Sequence, residues 1–457
     1  MLKEYLNLKK IEGPLIFLEN IKEAKFGEII EIKLEKEKRL GKIVKIDKDM
    51  VVAQVFEGTS NISSINASIK FTGKPFEINL SSEILGRTFN GMGKPVDKGG
   101  PIYSKKKYNI NGRPINPVAR AYPKNFIQTG ISSIDVLATL IRGQKLPIFS
   151  GNGLSHKELA AQIVNQGKIS EDEDEKFALV FSAIGITKDD SLYFKEKFEE
   201  SGTIDNVVMF MNYIDDPVSE RLSNPRCALT AAEFLAFEED MNILVVMLDM
   251  TSYCEGLREL SSSREEIPSR KGYPGYLYSD LASLYERAGM LKDKNGSITF
   301  LPILTMPNDD ITHPIPDLTG YITEGQIALS RDLYNSNVYP PVDILPSLSR
   351  LMKDGIGEEY TREDHPLLAN QLFSSYSRVQ EIRSLAQIIG EEDLSETDKK
   401  YMKYGRNFEN KFLNQDFSEN RGILESLDLG WEILSILPKN ELDRLSDELL
   451  NKYYKGD

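Results

Sequence analysis

The amino-acid sequence predicts a multidomain fold with an N-terminal β-domain, a central α/β domain and a C-terminal helical bundle. A chain of 457 residues is longer than one hydrophobic core usually organises. Short β-type segments fill its first part, apolar β-type runs then alternate with helical ones, and helical spacing takes over near the end. We therefore expect domains at residues 1–75, 76–354 and 355–457.

The first domain is predicted to be a small barrel or sandwich of short strands. Residues 31–34 alternate polar and apolar side chains, and residues 50–56 form a more continuous apolar run. Gly41, the polar cluster at 47–49 and the Ser/Asn-rich stretch at 59–64 separate such segments at intervals typical of these folds.

The central domain is predicted to be an open α/β fold with a mostly parallel sheet. Strands of a sheet that is covered on both faces are continuous apolar runs, as residues 243–248 are. Helical segments separate the candidate strands, which we place at residues 144–150, 177–186, 206–212, 241–249 and 298–306.

The last domain is predicted to be a helical bundle, because apolar residues recur at helical spacing. We interpret these apolar stripes as packing surfaces rather than as parts of a cofactor site. The residues that form them are Leu385, Ile388, Ile389, Leu427, Trp431, Leu434, Leu442, Leu445 and Leu449.

Composition and charge disfavour several classes of protein. The formal charge of −14 is spread through the chain, whereas nucleic-acid binders usually concentrate Lys and Arg on one face. Cys227 and Cys254 are the only cysteines and form no CxxC motif, which argues against a disulfide framework or a zinc site and favours a reducing compartment. The N-terminus has no apolar signal core, and the apolar run at 243–248 is too short to span a bilayer. We therefore expect any membrane connection to run through partner proteins.

Residues 146–161, LPIFSGNGLSHKELAA, have the order of a phosphate-binding loop: an apolar strand, a glycine-containing turn and a helix. A functional loop follows the pattern G-x-x-x-x-G-K-[ST], in which backbone N–H groups hold the phosphates, the lysine reaches them and the hydroxyl binds Mg²⁺. Here Ser150, Ser155, His156 and Lys157 occupy the four fixed positions. The sequence therefore keeps the glycine-containing turn but lacks the lysine and the hydroxyl that would bind phosphate and Mg²⁺. An ordinary strand–turn–helix remains an alternative.

Asp249 ends the predicted strand at 241–249. A carboxylate at the C-terminal edge of a parallel strand lies where open α/β folds bind ligands, and it matches the position of a Walker-B-type aspartate. Acidic residues also end buried strands without such a role, so that interpretation stays open.

Arg350 ends the run YPPVDILPSLSR at 339–350. The prolines confine the backbone, and Ser347 and Ser349 favour an irregular path that could present a guanidinium at a surface. Such a group can stabilise charge on a phosphoryl group during its transfer. A surface arginine in a salt bridge is the alternative.

Together these motifs make the chain resemble the non-catalytic (regulatory) B subunit of vacuolar/archaeal-type (V/A-type) rotary ATPases of prokaryotic type. The resemblance covers nearly the whole chain and rests on long motifs in one order. They are LGRTFNGMGKPVD (85–97), FIQTGISSIDVLATLIRGQKLPIFSGNGLSHKELAAQI (126–163), LDMTSYCEGLRELSSSREEIPSRKGYPGYLYSDLASLYERAG (248–289), ITHPIPDLTGYITEGQI (311–327) and PPVDILPSLSRL (340–351).

The resemblance implies a fold, a reaction and partners. The first domain would be a β-barrel and the second a RecA-like domain of the P-loop NTPase class. Three B subunits would alternate with three catalytic A subunits in a hexameric ring, which central-stalk and peripheral-stalk subunits complete. Arg350 falls where the family's arginine finger lies, so it would act in trans on ATP or ADP with Mg²⁺, held mainly by the A subunit. The complex would couple ATP hydrolysis or synthesis to H⁺ or Na⁺ transport from the cytoplasmic face of a membrane, without nucleic acid.

The resemblance also explains two losses in this chain. Catalytic relatives have the loop lysine where this chain has His156, and a water-orienting glutamate where it has Ile186, which can neither polarise water nor accept its proton. The chain is therefore expected not to be an enzyme on its own and to hold no tightly bound cofactor. Gly153, His156 and Asp249 could still form a degenerate nucleotide site. A loop that is kept only because the packing of the ring needs its shape is the other interpretation.

Two other functions remain as alternatives. One is a self-sufficient hexameric ATPase of the same superfamily, of the secretion or flagellar-export type, which the missing lysine and glutamate disfavour. The other is an RNA-translocating hexamer of related fold. The acidic balance and the lack of a recognisable basic, aromatic-rich RNA-binding module disfavour it.

Overall fold

The computed structural model describes residues 4–5, 8–21, 23–34, 37–63, 67–167 and 176–456. Ser64, which ends the predicted turn region at 59–64, lies outside these residues, as does part of the N-terminal segment. The strands are β1 Glu4–Tyr5, β2 Leu8–Glu12, β3 Leu15–Glu19, β4 Ile29–Lys33, β5 Lys38–Asp47, β6 Met50–Val55, β7 Ser68–Phe71, β8 Glu77–Asn79, β9 Thr88–Asn90, β10 Lys107–Asn109, β11 Phe126–Ile127, β12 Leu140–Ile141, β13 Ile148–Gly151, β14 Phe177–Ile186, β15 Val207–Tyr213, β16 Asn242–Leu248, β17 Gly289–Met290, β18 Ser297–Met306, β19 Gly325–Leu329 and β20 Val342–Ser349.

The α-helices are numbered in the same way, and a π-helical turn at Phe408–Leu413 follows α10. They are α1 Ser132–Leu137, α2 His156–Gln166, α3 Lys188–Glu200, α4 Val218–Phe237, α5 Met250–Ser263, α6 Leu277–Tyr285, α7 Pro314–Ile322, α8 Arg331–Asn335, α9 His365–Ile389, α10 Glu396–Asn407, α11 Ile423–Leu434 and α12 Asp447–Tyr453.

The chain divides into two compact units, each built from several stretches of sequence. The first unit holds residues 1–114, 178–239 and 247–287. The second holds residues 115–177, 240–246 and 288–457. This division in space does not follow the predicted order of three domains along the sequence, whose boundaries stay predictions.

The N-terminal part of the first unit is an antiparallel β-domain, as its short segments and turns predicted. Its strand order is β1-β7-β4-β5-β6-β3-β2. Buried and more exposed residues alternate along β5, because successive side chains of a strand point to opposite faces. The inward side chains form one apolar core, in which Ile30, Ile32, Ile43, Val51 and Ile69 are each 0% exposed.

The α/β part of the first unit contains β14, β15 and β9, which pair in parallel, together with helices α3 to α6. β14 covers residues 177–186, as predicted, and β15 lies one residue beyond the predicted 206–212. Their continuous apolar runs are buried, as expected of strands in the interior of a sheet. The register of β14 shifts between Ala183 and Ile186, where Gly185 has a φ of 66°.

In the second unit, the strand order is β20-β19-β13-β18-β16. β13 runs parallel to β18 and β19, and β20 runs antiparallel to β19. The strand predicted at 144–150 begins later, at Ile148, because Pro147 has no N–H to give to a ladder. Before it, Lys145 forms only an isolated parallel bridge with Phe300. The open, mostly parallel sheet predicted from the apolar runs is confirmed in this unit.

The C-terminal helices form the predicted bundle, but one predicted packing stripe is wrong. Leu385, Ile388 and Ile389 are 41%, 82% and 41% exposed. They lie in the last turns of α9, whose buried residues end at Ile382. At 25 residues, α9 is about 37 Å long and twice the length of α10 or α11. These two neighbouring helices are therefore too short to run along all of α9. Spacing identified the helix, but it could not show where packing ends.

The other stripes are buried. Leu427, Trp431 and Leu434 of α11 are 0%, 2% and 0% exposed. Leu442 and Leu445 are also buried, but they lie in the turn before α12 rather than in a helix. Burial was therefore predicted more accurately than secondary structure in this segment.

Cys227 and Cys254 are both buried free thiols. Burial raises the pKa of each well above its usual range. In the part of the chain that the structure describes, no group of three or more His, Cys, Asp or Glu side chains is placed to hold a metal ion. Over the same residues, no helix has both the length and the apolar composition needed to cross a bilayer.

Candidate functional site

The candidate phosphate loop joins β13 to α2 in the second unit. Gly153 has a φ of 76°, in the left-handed region that favours glycine, and a Cβ there would meet nothing within 4 Å. Gly151 is required for space instead, because its Cβ would collide with Oδ1 of Asp309. The loop therefore keeps its turn for two separate physical reasons.

His156 stands at the lysine position, and its side chain is turned into the protein. It is 8% exposed, and its Nδ1 lies 3.0 Å from Oγ of Ser150. Its backbone N–H donates to the carbonyl of Leu154 at 2.9 Å, so this N–H is already used. A loop lysine would instead extend its ammonium toward the phosphates. In this chain the imidazole is committed to the loop itself.

A carboxylate–guanidinium pair braces the same loop. Arg331 donates to both carboxylate oxygens of Asp309, at 2.5 and 2.9 Å, and also to the carbonyl of Asn152 at 2.9 Å. The hydrogen bond from Arg331 lowers the pKa of Asp309, so the carboxylate beside Gly151 stays ionised near neutral pH. Sequence reasoning missed this pair. The sequence offers one indication that the two residues lie close together: both follow parallel strands, β18 and β19, whose carboxyl ends lie at one edge of the sheet.

Asp249 belongs to the first unit, where it directly follows β16. Its carboxylate accepts a hydrogen bond of 2.8 Å from the backbone N–H of Thr251 and thereby caps the N-terminus of α5. An aspartate is a favoured N-cap residue, because it satisfies one of the N–H groups that a helix leaves unpaired. The position predicted for a Walker-B-type aspartate therefore also has a structural use.

Ile186 ends β14, also in the first unit. It is 5% exposed, and its carbonyl accepts a hydrogen bond of 2.9 Å from Ile214. Its backbone pairs with Tyr213 of β15. The side chain at this strand end is thus a buried hydrocarbon with no group that could take a proton.

Arg350 lies directly after β20 in the second unit and is exposed. Its backbone N–H donates to the carbonyl of Glu324 at 2.9 Å. Among the described residues, none forms a hydrogen bond or an ion pair with its guanidinium. The alternative of a surface arginine held in a salt bridge therefore finds no partner in the described part of the chain.

The backbone on which Arg350 stands is held firmly. Gln144 donates through Nε2 to Oγ of Ser349 at 2.8 Å and to the carbonyl of Glu324 at 3.1 Å. Gly325, opposite Ser349 in the ladder, has a φ of 143°, and a Cβ there would collide with the carbonyl oxygen of Leu348. Sequence reasoning missed Gln144 and Gly325, because no local spacing links them to Arg350.

The loop and Arg350 lie at opposite edges of the sheet in the second unit. β13 and β19 are parallel, with Phe149 beside Ala328, so the loop after β13 lies beyond the end of β19. β20 is antiparallel to β19, with Ser349 opposite Gly325, so Arg350 lies beside the start of β19. Five residues of strand separate the two edges by roughly 15 Å. Arg350 therefore lies at the strand ends opposite those that carry the loop of its own chain.

Comparison with curated proteins gives close relatives over the full chain length. The chain is 67% identical to the V-type ATP synthase beta chain 2 of Clostridium tetani, with 100% of both chains covered. It is 62% identical to the V-type ATP synthase beta chain of Halothermothrix orenii and 59% identical to that of Thermotoga neapolitana, each covering 99% of this chain and 98% of the relative.

The chain belongs to the family of V-type ATP synthase beta chains. The resemblance inferred from its motifs is thereby confirmed.

Family models divide this V-type beta-chain sequence into three matched regions. The β-barrel domain of the ATP synthase alpha/beta family matches residues 9–73, and the nucleotide-binding domain of that family matches residues 130–349. The C-terminal domain of V and A type ATP synthase matches residues 354–454. The predicted fold class of barrel, nucleotide-binding domain and helical C-terminus is confirmed, and Arg350 comes directly after the second match.

A solved structure agrees with the V-type beta-chain assignment. The ATP synthase subunit NeqB from Nanoarcheaum equitans is 41% identical, with a TM-score of 0.73. The alignment covers 92% of this chain and 98% of that one. Fold and family therefore rest on sequence and structure together.

Proposed function

We propose that the chain is the non-catalytic B subunit of a V/A-type rotary ATPase and that it donates Arg350 to the ATP site of a neighbouring A subunit. In the proposed ring, three such chains alternate with three catalytic A subunits. ATP or ADP with Mg²⁺ would be held mainly by the A subunit, with the guanidinium of Arg350 reaching into that site.

The position of Arg350 is the observation that carries this proposal. Arg350 is exposed, and no described residue forms a hydrogen bond or an ion pair with its guanidinium. It lies at the sheet edge opposite the chain's own loop, roughly 15 Å away by strand length. These features suit an arginine that acts on a phosphate held by another subunit.

The chain's own loop does not fit a magnesium nucleotide. His156 replaces the lysine and is hydrogen-bonded to Ser150, and Lys157 stands where a hydroxyl would bind Mg²⁺. The ion pair of Asp309 and Arg331 occupies the space against Gly151, where a phosphate would have to approach the backbone. These features, with Ile186 in place of a water-orienting carboxylate, support a non-catalytic role for this chain.

Arg350 would act on charge that develops during phosphoryl transfer. As the γ-phosphoryl group leaves, negative charge accumulates on its oxygens, and a planar guanidinium can donate two hydrogen bonds to them. Arginine fingers contribute about 10³- to 10⁵-fold to the rate, which corresponds to roughly 4–7 kcal/mol of transition-state stabilisation. An effect of this size would make hydrolysis depend on the correct placement of both subunits.

The wider role follows from the same proposal. Sequential opening and closing of the A/B interfaces would turn a central stalk, while peripheral-stalk subunits hold the ring. Ion transport, of H⁺ or Na⁺, would take place in membrane subunits, and this chain would lie on the cytoplasmic face through the complex. Neither nucleic acid nor direct membrane contact has a part in this scheme.

Reconstitution with an A-type partner tests the proposal. We expect the purified chain alone to hydrolyse ATP negligibly and the mixture to be active, with Arg350→Ala lowering kcat by about 10³-fold or more. Arg444→Ala is the matched control, because Arg444 is also an exposed arginine of the second unit. Full activity of the Arg350→Ala mixture would refute the finger assignment. Substantial ATPase activity of the chain alone would favour the self-sufficient ATPase instead.

A further inference from the structure

The first unit contains a cavity of about 440 Å³ that the proposed function does not use. It lies between strands β5 and β6 of the β-domain and helices α4, α5 and α6. Its volume falls within the range of sites that hold small organic ligands. It is therefore large enough to hold a molecule rather than a single water.

Two polar side chains from the β-domain line this cavity without hydrogen-bond partners. Lys42 of β5 and Gln54 of β6 are directly paired across the ladder, so both side chains stand on the same face of the sheet. Gln54 is only 4% exposed, and its Nε2 has no partner in the described part of the chain. Lys42 likewise has no hydrogen bond or ion pair with any described residue. A buried donor such as Nε2 of Gln54 is rarely left unpaired, because this costs free energy.

The helical wall of the cavity leaves the positive charge of Lys42 uncompensated. Arg226 of α4 pairs with Asp280 of α6 at 2.9 Å, and the remaining oxygen of Asp280 accepts from the hydroxyl of Tyr253. Arg264 lies 3.5 Å from Glu266, and its buried Nε has no partner among the described residues. Among the described residues, the ionised groups that line the cavity are three cations, Lys42, Arg226 and Arg264, and two carboxylates, Asp280 and Glu266. The phenols of Tyr253 and Tyr276 are neutral.

The titration of Lys42 agrees with this charge balance. Burial, reinforced by the positive charge of Arg226, lowers the pKa of Lys42 to about 8. An anion beside Lys42 would offset both effects, because it would supply the missing counter-charge.

The remaining walls of the cavity are apolar. Phe56 and Phe76 pack together with ring centroids 5.4 Å apart and ring planes tilted by 46°. Aliphatic side chains complete these walls. They are Ile110, which follows β10, Leu222 of α4, and Leu257 and Leu260 of α5. The cavity thus joins an apolar surface to a cluster of hydrogen-bond donors with one excess positive charge.

We propose that this cavity binds a small organic anion, with its carboxylate on Lys42 and Gln54 and its apolar body against Phe56 and Phe76. The site is independent of the proposed role of Arg350, which lies in the other unit. A plain inorganic anion would leave the apolar walls unused, and a neutral aromatic molecule would leave Lys42 unpaired.

Calorimetric titration of the full chain with benzoate tests the proposal. Benzoate should bind at pH 7 at least tenfold more tightly than benzyl alcohol, which lacks the charge, or inorganic phosphate, which lacks the apolar body. Lys42→Met should lower the affinity for benzoate at least tenfold, and Gln54→Met should lower it less. Lys42→Met is expected to fold, because it replaces an ammonium without hydrogen bonds by an apolar side chain of similar length. Lys45→Met is the control, because Lys45 is an exposed lysine of the same strand.

The pH dependence gives a second readout. Above pH 8, where free Lys42 loses its proton, anion binding must include proton uptake, so the affinity for benzoate should fall by up to tenfold per pH unit. Lys42→Met should abolish this dependence. The proposal is overturned if benzoate does not bind the wild-type chain, if Lys42→Met binds it equally well, or if Lys45→Met loses as much affinity as Lys42→Met.

Discussion

The polar side chains at the two edges of the sheet in the second unit differ in burial and in hydrogen bonding. At the loop edge, His156 is buried against Ser150, and both carboxylate oxygens of Asp309 accept hydrogen bonds from Arg331. At the other edge, Arg350 is exposed and has no partner among the described residues. Side chains whose donors and acceptors are already paired within the chain have few hydrogen bonds left for a ligand. An exposed, unpaired guanidinium on a well-held backbone remains able to bind a group of another subunit.

The largest expected effect on activity comes from changing the chemistry of Arg350 while keeping its charge. In a complex with an A-type partner, Arg350→Lys should lower kcat by about 10²-fold or more, because lysine lacks the planar fork that donates two parallel hydrogen bonds. Assembly, followed by size-exclusion chromatography, should be unchanged. A lysine variant with wild-type kcat would show that a simple positive charge suffices.

The backbone support of Arg350 is expected to depend on one glycine. Gly325→Ala should destabilise the chain by about 3 kcal/mol, since the new Cβ meets the carbonyl oxygen of Leu348 at a φ of 143°. Denaturant titration measures the change.

Gly320→Ala is the matched control for that variant. Gly320 lies in α7, and a Cβ added there would make only an ordinary contact of 3.7 Å with Oε1 of Gln326. Alanine should therefore be neutral or stabilise the chain by up to about 1 kcal/mol. Equal effects at the two glycines would contradict the steric argument.

The segment after Arg350 should give the chain a pH-dependent stability. His365 is fully buried, its Nε2 lies 2.9 Å from the carbonyl of Val136, and burial lowers its pKa to about 4. Between pH 6.5 and 4 the unfolded imidazole is protonated while the folded one is not. This contribution to the free energy of unfolding is therefore complete above pH 6.5, and roughly 2–3 kcal/mol of it is lost as the pH falls to 4.

The variant His365→Gln isolates that contribution. Unfolding by urea at pH 7 and at pH 4.5 should show a smaller loss of stability in the variant than in the wild type, because all other groups titrate alike in both. Parallel pH profiles would show that His365 does not cause the effect.

The smallest expected effect is at the loop edge. His156→Lys restores only one of the four fixed positions of a phosphate loop, and the carboxylate of Asp309 remains beside Gly151. We expect ATP affinity, measured by calorimetry, to rise by less than about tenfold, or 1.4 kcal/mol. ATPase activity of the chain alone should stay negligible, since Ile186 is unchanged. Strong ATP binding by this variant would mean that the lysine was the main missing element.

Much of the fold could be predicted because it depends on local patterns. The run at 177–186 became β14 residue for residue, since a strand buried on both faces must be apolar throughout. The prediction that Leu385, Ile388 and Ile389 are buried was wrong, although they lie in a helix as predicted. Helical spacing records which side chains share a face, but it cannot show whether another element covers that face.

In the candidate site, too, some features could be predicted from the sequence and others could not. The sequence alone indicated the family, and it placed His156 at the lysine position of the loop, Ile186 at the end of a strand and Arg350 at the end of a motif. Each of these depends only on which residue stands at a given position. Only the tertiary structure decided that His156 is held by Ser150, that Asp309 and Arg331 brace the loop, and that the loop and Arg350 lie at opposite edges. These facts depend on strand direction and on contacts between residues far apart in the chain, and no local pattern encodes either.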